Sequence, residues 1–143
     1  MINTRRPLLL TAAAALATGI VLGGAGMQLV AAQQTVKRTV LQKMDIPGVE
    51  NREAVLVLAE IPAGTETGPH THPGIELGSL VGGSLVLEVE GRPATTMKVG
   101  DSWTVEDAKV HNGKSTGDQT ARVLVTYIVE KGKPLASPAH FAH

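Results

Sequence analysis

The chain is 143 residues long, enough for one domain, and its 13 basic and 13 acidic side chains leave a formal net charge of +0. That balance excludes the surplus of Lys and Arg with which nucleic-acid binders neutralise phosphates, and one Trp, one Tyr and one Phe exclude an aromatic base-stacking platform. With no cysteine there is no disulfide scaffold, thiolate metal site or thiol nucleophile, so any chemistry must come from histidines, carboxylates, hydroxyls or a bound ion.

Arg5 and Arg6 open the chain, and the 30 residues from Pro7 to Val36 carry no charge. The run is rich in Ala, Leu and Gly and reaches Val30-Ala31-Ala32, whose small residues suit signal peptidase. A positive start, an apolar run and a small-residue end predict a secretory signal over 1–32 and a periplasmic or secreted product with no membrane anchor after cleavage. Cleavage would remove two basic groups and no acidic one, leaving 111 residues of net charge near −2. Thr4-Arg5-Arg6-Pro7-Leu8-Leu9 resembles a twin-arginine export signal, the route that carries folded proteins. Uncut, the same run is long enough to cross a bilayer.

The remainder predicts short strands and no helix. Residues 33–52 read as an extension with an edge strand around Thr39-Val40-Leu41. Residues 53–61, EAVLVLAEI, form a nearly continuous apolar run, as in a strand buried on both faces, and Pro62-Ala63-Gly64 stops it. Residues 76–81 and 84–90 read as a hairpin about Gly82-Gly83, the second strand alternating with period two. Further strands are expected over 94–99, 102–105 and 122–130, with turns at Gly91 and Gly100-Asp101. Turn signals every 8–12 residues or so predict an all-β sandwich or barrel over 53–131, followed by a loose, proline-dotted tail over 132–143. A core this small, with an edge strand over 37–43, predicts a homodimer.

Three of the five histidines stand where they can converge. His70 and His72 are two apart and share one face of a strand. Pro73-Gly74 bends the chain before Glu76, and His111 follows the Gly100-Asp101 turn. Burying four polar groups together is costly without a counter-ion, whereas a solvent-facing HxH loop would need none. Imidazole suits Zn, Cu, Fe or Ni, and a carboxylate adds affinity for Fe and Mn, so the four residues predict one divalent metal ion.

At these residues the sequence resembles the cupin superfamily. GTETGPHTHPGIELGSLVGG, residues 64–83, fits G-x5-H-x-H-x3-E-x6-G with Gly64, His70, His72, Glu76 and Gly83 in place. The second motif, G-x5-P-x-G-x2-H-x3-N, keeps Gly100 and His111 but has Glu106, Ala108 and Ser115 at its Pro, Gly and Asn positions. The resemblance implies a single jelly-roll β-barrel in which His70, His72, Glu76 and His111 bind the metal. It also implies a choice between two functions. One is a metal-dependent enzyme, dioxygenase- or decarboxylase-like, acting on a small oxygen-rich molecule. The other is a non-catalytic periplasmic binder of a small molecule or metal. Among other residues, Trp103 reads as packing, Tyr127 as a ring facing either the core or the cavity, Glu60 as a surface carboxylate or a partner of a metal-bound His, and Arg92 and Arg122 as surface groups able to hold a carboxylate. Asn112 and Ser115 are placed to hydrogen-bond near His111, while His140 and His143 read as solvated.

Overall fold

The computed structural model describes residues 35–142, so the signal segment expected over 1–32 lies outside them. Ten strands follow in chain order: β1 (Lys37–Asp45), β2 (Arg52–Ile61), β3 (His70–Thr71), β4 (Gly74–Gly82), β5 (Ser84–Val89), β6 (Thr95–Met97), β7 (Ser102–Val105), β8 (His111–Thr116), β9 (Ala121–Glu130) and β10 (Ser137–Pro138). They form two antiparallel five-stranded sheets, β1-β2-β9-β4-β7 and β10-β3-β8-β5-β6, and no described residue is helical. The all-β barrel expected from the turn spacing is the architecture found.

The sheets close on one apolar core because their strands alternate. Val55, Val57, Ala59 and Ile61 of β2 face Leu85, Leu87 and Val89 of β5, with Val123, Val125 and Val129 of β9 completing the first sheet's inner face. The outward residues of β2 are only half-buried, so this strand is not enclosed on both faces as its apolar run implied. Two sheets covering a single shared core bury one face of each strand.

Three other expectations are corrected. Gly82-Gly83 is not a hairpin turn: β4 pairs with β7 and β9, β5 with β6 and β8, and the chain changes sheet at Gly83. Gly83 has a φ of 71°, and a Cβ there would lie 2.6 Å from the Thr120 carbonyl oxygen, so the crossing needs glycine. The polar segment His111–Thr116 is a strand, central in the second sheet, although HNGKST carries no apolar alternation. Its backbone pairs on both sides and its outward Asn112 is covered by the 64–69 loop, so pairing rather than hydrophobicity holds it. The tail over 132–143 is not loose throughout, because Ser137–Pro138 pair with Thr71 and His70 as β10.

Candidate metal centre

His70 begins β3, and its backbone lies in register with His111 at the start of β8. His70 and His72 both turn inward, leaving Thr71 between them partly exposed. Glu76 belongs to the other sheet, on β4, four residues beyond His72. Gly74 makes that crossing feasible: a Cβ there would sit 2.1 Å from the Ile128 carbonyl oxygen, so any larger residue would push β4 away from β9. The sequence thereby delivers one histidine from β3, a second just beyond it and a carboxylate from the facing sheet within seven residues.

All four side chains are buried, and one ligand atom from each lies within 4.8 Å of the others. The imidazole centroids stand 4.2 Å (His70–His111), 4.8 Å (His70–His72) and 5.0 Å (His72–His111) apart. Each Nδ1 donates to a backbone carbonyl: His70 to Gly68 at 2.7 Å, His72 to Leu135 at 2.6 Å and His111 to Lys109 at 3.0 Å. A carbonyl only accepts, so these contacts put the ring proton on Nδ1 and leave Nε2 as the free lone pair.

The Nε2 atoms of His72 and His111 lie 3.0 and 3.3 Å from Glu76 Oε2. The His72 contact is close enough for an ion pair, yet its Nε2 lacks a hydrogen bond of acceptable direction. Two unprotonated acceptors facing a carboxylate repel one another. Either extra protons or a cation must lie between them. Protons are a poor solution for the whole cluster, because His70 is held down to about 4 by burial and by the neighbouring His111. Burial alone would raise the Glu76 pKa; positive charge shared with His111 and His72, together with the Trp103 N–H, outweighs it and holds the carboxyl well below its usual range, and a cation between the rings would supply that charge where ring protons do not. Three imidazole lone pairs and one carboxylate, each oriented by an outer partner, fit a single divalent ion.

The outer partners were only partly legible. Trp103, read from sequence as packing, donates Nε1–H to Glu76 Oε1 at 2.8 Å. Its ring lies against Gly78, where a Cβ would approach it to 2.3 Å; a glycine inside an apolar strand was the available signal. Leu135, in the segment expected to be loose, supplies the carbonyl for His72. Asn112 and Ser115 do not reach the centre. Asn112 accepts from Thr67 at 3.1 Å, and Ser115 N donates to Thr65 at 2.9 Å, which fastens the loop whose Gly68 carbonyl orients His70. Ala108, at the glycine position of the second motif, adopts the left-handed backbone that favours glycine, with a φ of 56°, and donates its N–H to His72 O at 3.2 Å. Glu60 and Arg122 face each other at the surface, 3.8 Å apart, and Arg92 pairs with Glu106. His140 is exposed, and His143 lies outside the described residues.

An inner cavity of about 40 Å³ reaches the cluster and is walled by Leu85, Leu87, Val123 and Val125, with Trp103 and Tyr127. That is room for about three water-sized groups. The Tyr127 ring lies 4.5 Å from that of His72. Burial and the charge of Glu76 push its hydroxyl above the ordinary phenol value, so it stays protonated.

Residues 57–127 match the family described as the Cupin domain. The chain belongs to the cupin superfamily. Solved structures agree on the fold. An uncharacterized conserved protein with a double-stranded β-helix domain from Klebsiella pneumoniae shares 18% identity, over 76% of this cupin and 87% of that chain, with a TM-score of 0.60. A cupin-like protein from Thermotoga maritima shares 23% over 74% of this chain and 77% of its own, with a TM-score of 0.57. The DMSP lyase DddQ from Ruegeria pomeroyi shares 19% over 73% of this cupin and 52% of its own chain, with a TM-score of 0.58. No functionally curated protein matches this cupin in sequence.

Proposed function

We propose that this cupin binds one divalent metal through Nε2 of His70, His72 and His111 and the carboxylate of Glu76, and uses it as a metal-dependent enzyme on a small oxygen-rich molecule. The observation that carries the reading is the set of three Nδ1–H donations to backbone carbonyls, which aims three lone pairs at one ionised, buried carboxylate. Such an ion supplies Lewis acidity and open positions for substrate or dioxygen, and Fe, Mn, Ni, Zn and Cu all suit the donor set. The protein's own residues do the rest. Trp103 holds one Glu76 oxygen and leaves Oε2 for the ion. The apolar cavity walls exclude bulk water, and Tyr127 keeps a hydroxyl proton available beside His72. The likeness to a DMSP lyase is consistent with enzyme chemistry and assigns none here.

The second reading, non-catalytic binding, draws on the cavity lining: beyond the four clustered residues, the described residues that line it include no carboxylate or imidazole to act as acid or base. Export is proposed on the sequence over 5–32 alone, with N-terminal sequencing of the native protein expected to begin near Gln33.

The test is elemental analysis of the native protein alongside His72→Ala and His140→Ala. Stoichiometric metal is expected in the native protein and His140→Ala and none in His72→Ala, with the barrel still folded. Full occupancy in His72→Ala would remove the reading. Turnover of phenols, diketones or dicarboxylates by the loaded protein then separates enzyme from binder.

A further inference from the structure

We propose that Arg38 is the anchor for a carboxylate on the small molecule this centre receives. The proposal rests on the metal-centre reading and deepens it by assigning the substrate class, a small organic acid.

Arg38 lies on β1 opposite Ala59, which lies opposite Val123 on β9. Ala59 and Val123 are inward residues, so Arg38 stands on the inner face of the first sheet, on the exposed strand β1. Ala59 is the smallest of the buried apolar side chains of β2. Arg38 lines the inner cavity beside the metal cluster. It also lines an outer groove of about 400 Å³, walled by Pro69, Leu135 and Pro138, which shares Arg38, His70 and Tyr127 with the inner cavity.

Among the described residues Arg38 is the one Lys or Arg lining either space. Among the described residues it makes no ion pair, whereas Arg92 and Arg122 face Glu106 and Glu60. A guanidinium without a partner presents a planar fork suited to bidentate carboxylate binding. The charges favour the same ligand. A divalent ion with three neutral imidazoles and one carboxylate carries a net positive charge, and Arg38 adds a second at the mouth, so an anion entering the groove is attracted from both ends. The inner cavity admits only a few atoms, and the groove offers prolines and a leucine to a short carbon chain.

The test uses the full-length protein loaded with zinc, which is redox-inert, and the same protein metal-free. The probe is propionate, with propionamide as its neutral isostere, and the readout is emission from Trp103, the single tryptophan, with zinc stoichiometry measured on the same samples. Wild type is expected to prefer propionate to propionamide. Arg38→Gln is expected to weaken propionate roughly tenfold, the loss of one charge-assisted pair, without changing propionamide binding or zinc content. Arg38→Lys should recover part of the loss, and Arg92→Gln and Arg122→Gln should bind as wild type. The proposal is overturned if Arg38→Gln binds propionate as wild type does, which would mean the zinc alone holds the acid. It is also overturned if the surface variants lose as much, or if wild type binds no propionate or does not distinguish it from the amide. A wild type that takes up no zinc defeats the metal reading instead, and the metal-free comparison still decides Arg38.

Discussion

Trp103 and Glu76 stand on adjacent strands, and the indole N–H reaches the buried carboxylate at 2.8 Å. The bond fixes which oxygen of Glu76 is free to meet the three imidazoles. Trp103→Phe keeps a ring against Gly78 and removes only the donor. Orienting partners of metal ligands commonly contribute 10- to 100-fold in affinity, so zinc binding is expected to weaken by about tenfold while thermal unfolding shifts by about 1 kcal/mol. Competition against a chelator measures the first and calorimetry the second. Unchanged zinc affinity would return Trp103 to a packing role.

The metal-free protein should lose stability as pH falls from about 6.5 towards 4, through His70. Its folded pKa is lowered from 6.5 to about 4 by burial and His111, so in this interval the unfolded chain takes up a proton that the folded chain refuses. Stability from this group is complete above the unfolded value and lost below it, by up to about 3 kcal/mol. Urea titrations across the interval should show a smaller loss in His70→Asn than in wild type. Equal losses would mean that His70 does not carry the effect.

Ala108 is the one described non-glycine residue with a positive φ, at 56°. A left-handed L-residue costs about 1–2 kcal/mol, and glycine's greater unfolded freedom returns about 0.4–1 of that. Ala108→Gly should therefore raise stability by about 0.5–1 kcal/mol, with metal content unchanged. A lower melting temperature would show that the alanine methyl contributes packing worth more than the strain.

Gly74→Ala should be severe. The new Cβ would meet the Ile128 carbonyl oxygen at 2.1 Å, so β4 must leave β9 and carry Glu76 with it. A loss of about 3 kcal/mol or more is expected, as for an overpacked interior, together with loss of stoichiometric zinc. A variant that folded and bound zinc normally would mean that the crossing has another route.

The barrel was legible because β2 and β9 carry long apolar runs and glycines punctuate the rest. The buried cluster was legible because three of its four members lie within seven residues. What escaped was whatever depends on long-range pairing. β8 is polar and exists because β3 and β5 flank it. Gly82-Gly83 has the composition of a hairpin, and only the packing against Thr120 makes it a change of sheet. Leu135 acts through its carbonyl, which no side-chain pattern reports. Arg38 was indistinguishable from other surface cations until the register placed it opposite Ala59.

The carbonyl of Leu135 belongs to a segment whose only described strand is two residues long, yet it sets the tautomer of the buried His72, 63 residues away in the chain. By linkage, an ion held at His72 and docking of the C-terminal segment would strengthen each other by the same factor. Trypsin offers a way to see it. The Lys131–Gly132 bond precedes the docked segment, so the rate at which that bond is cut should fall as zinc is added and rise again with chelator. A protease would then serve as an ion gauge, and a fusion placed beyond Phe141 that pulls on β10 would register as weakened metal retention far from any ligand.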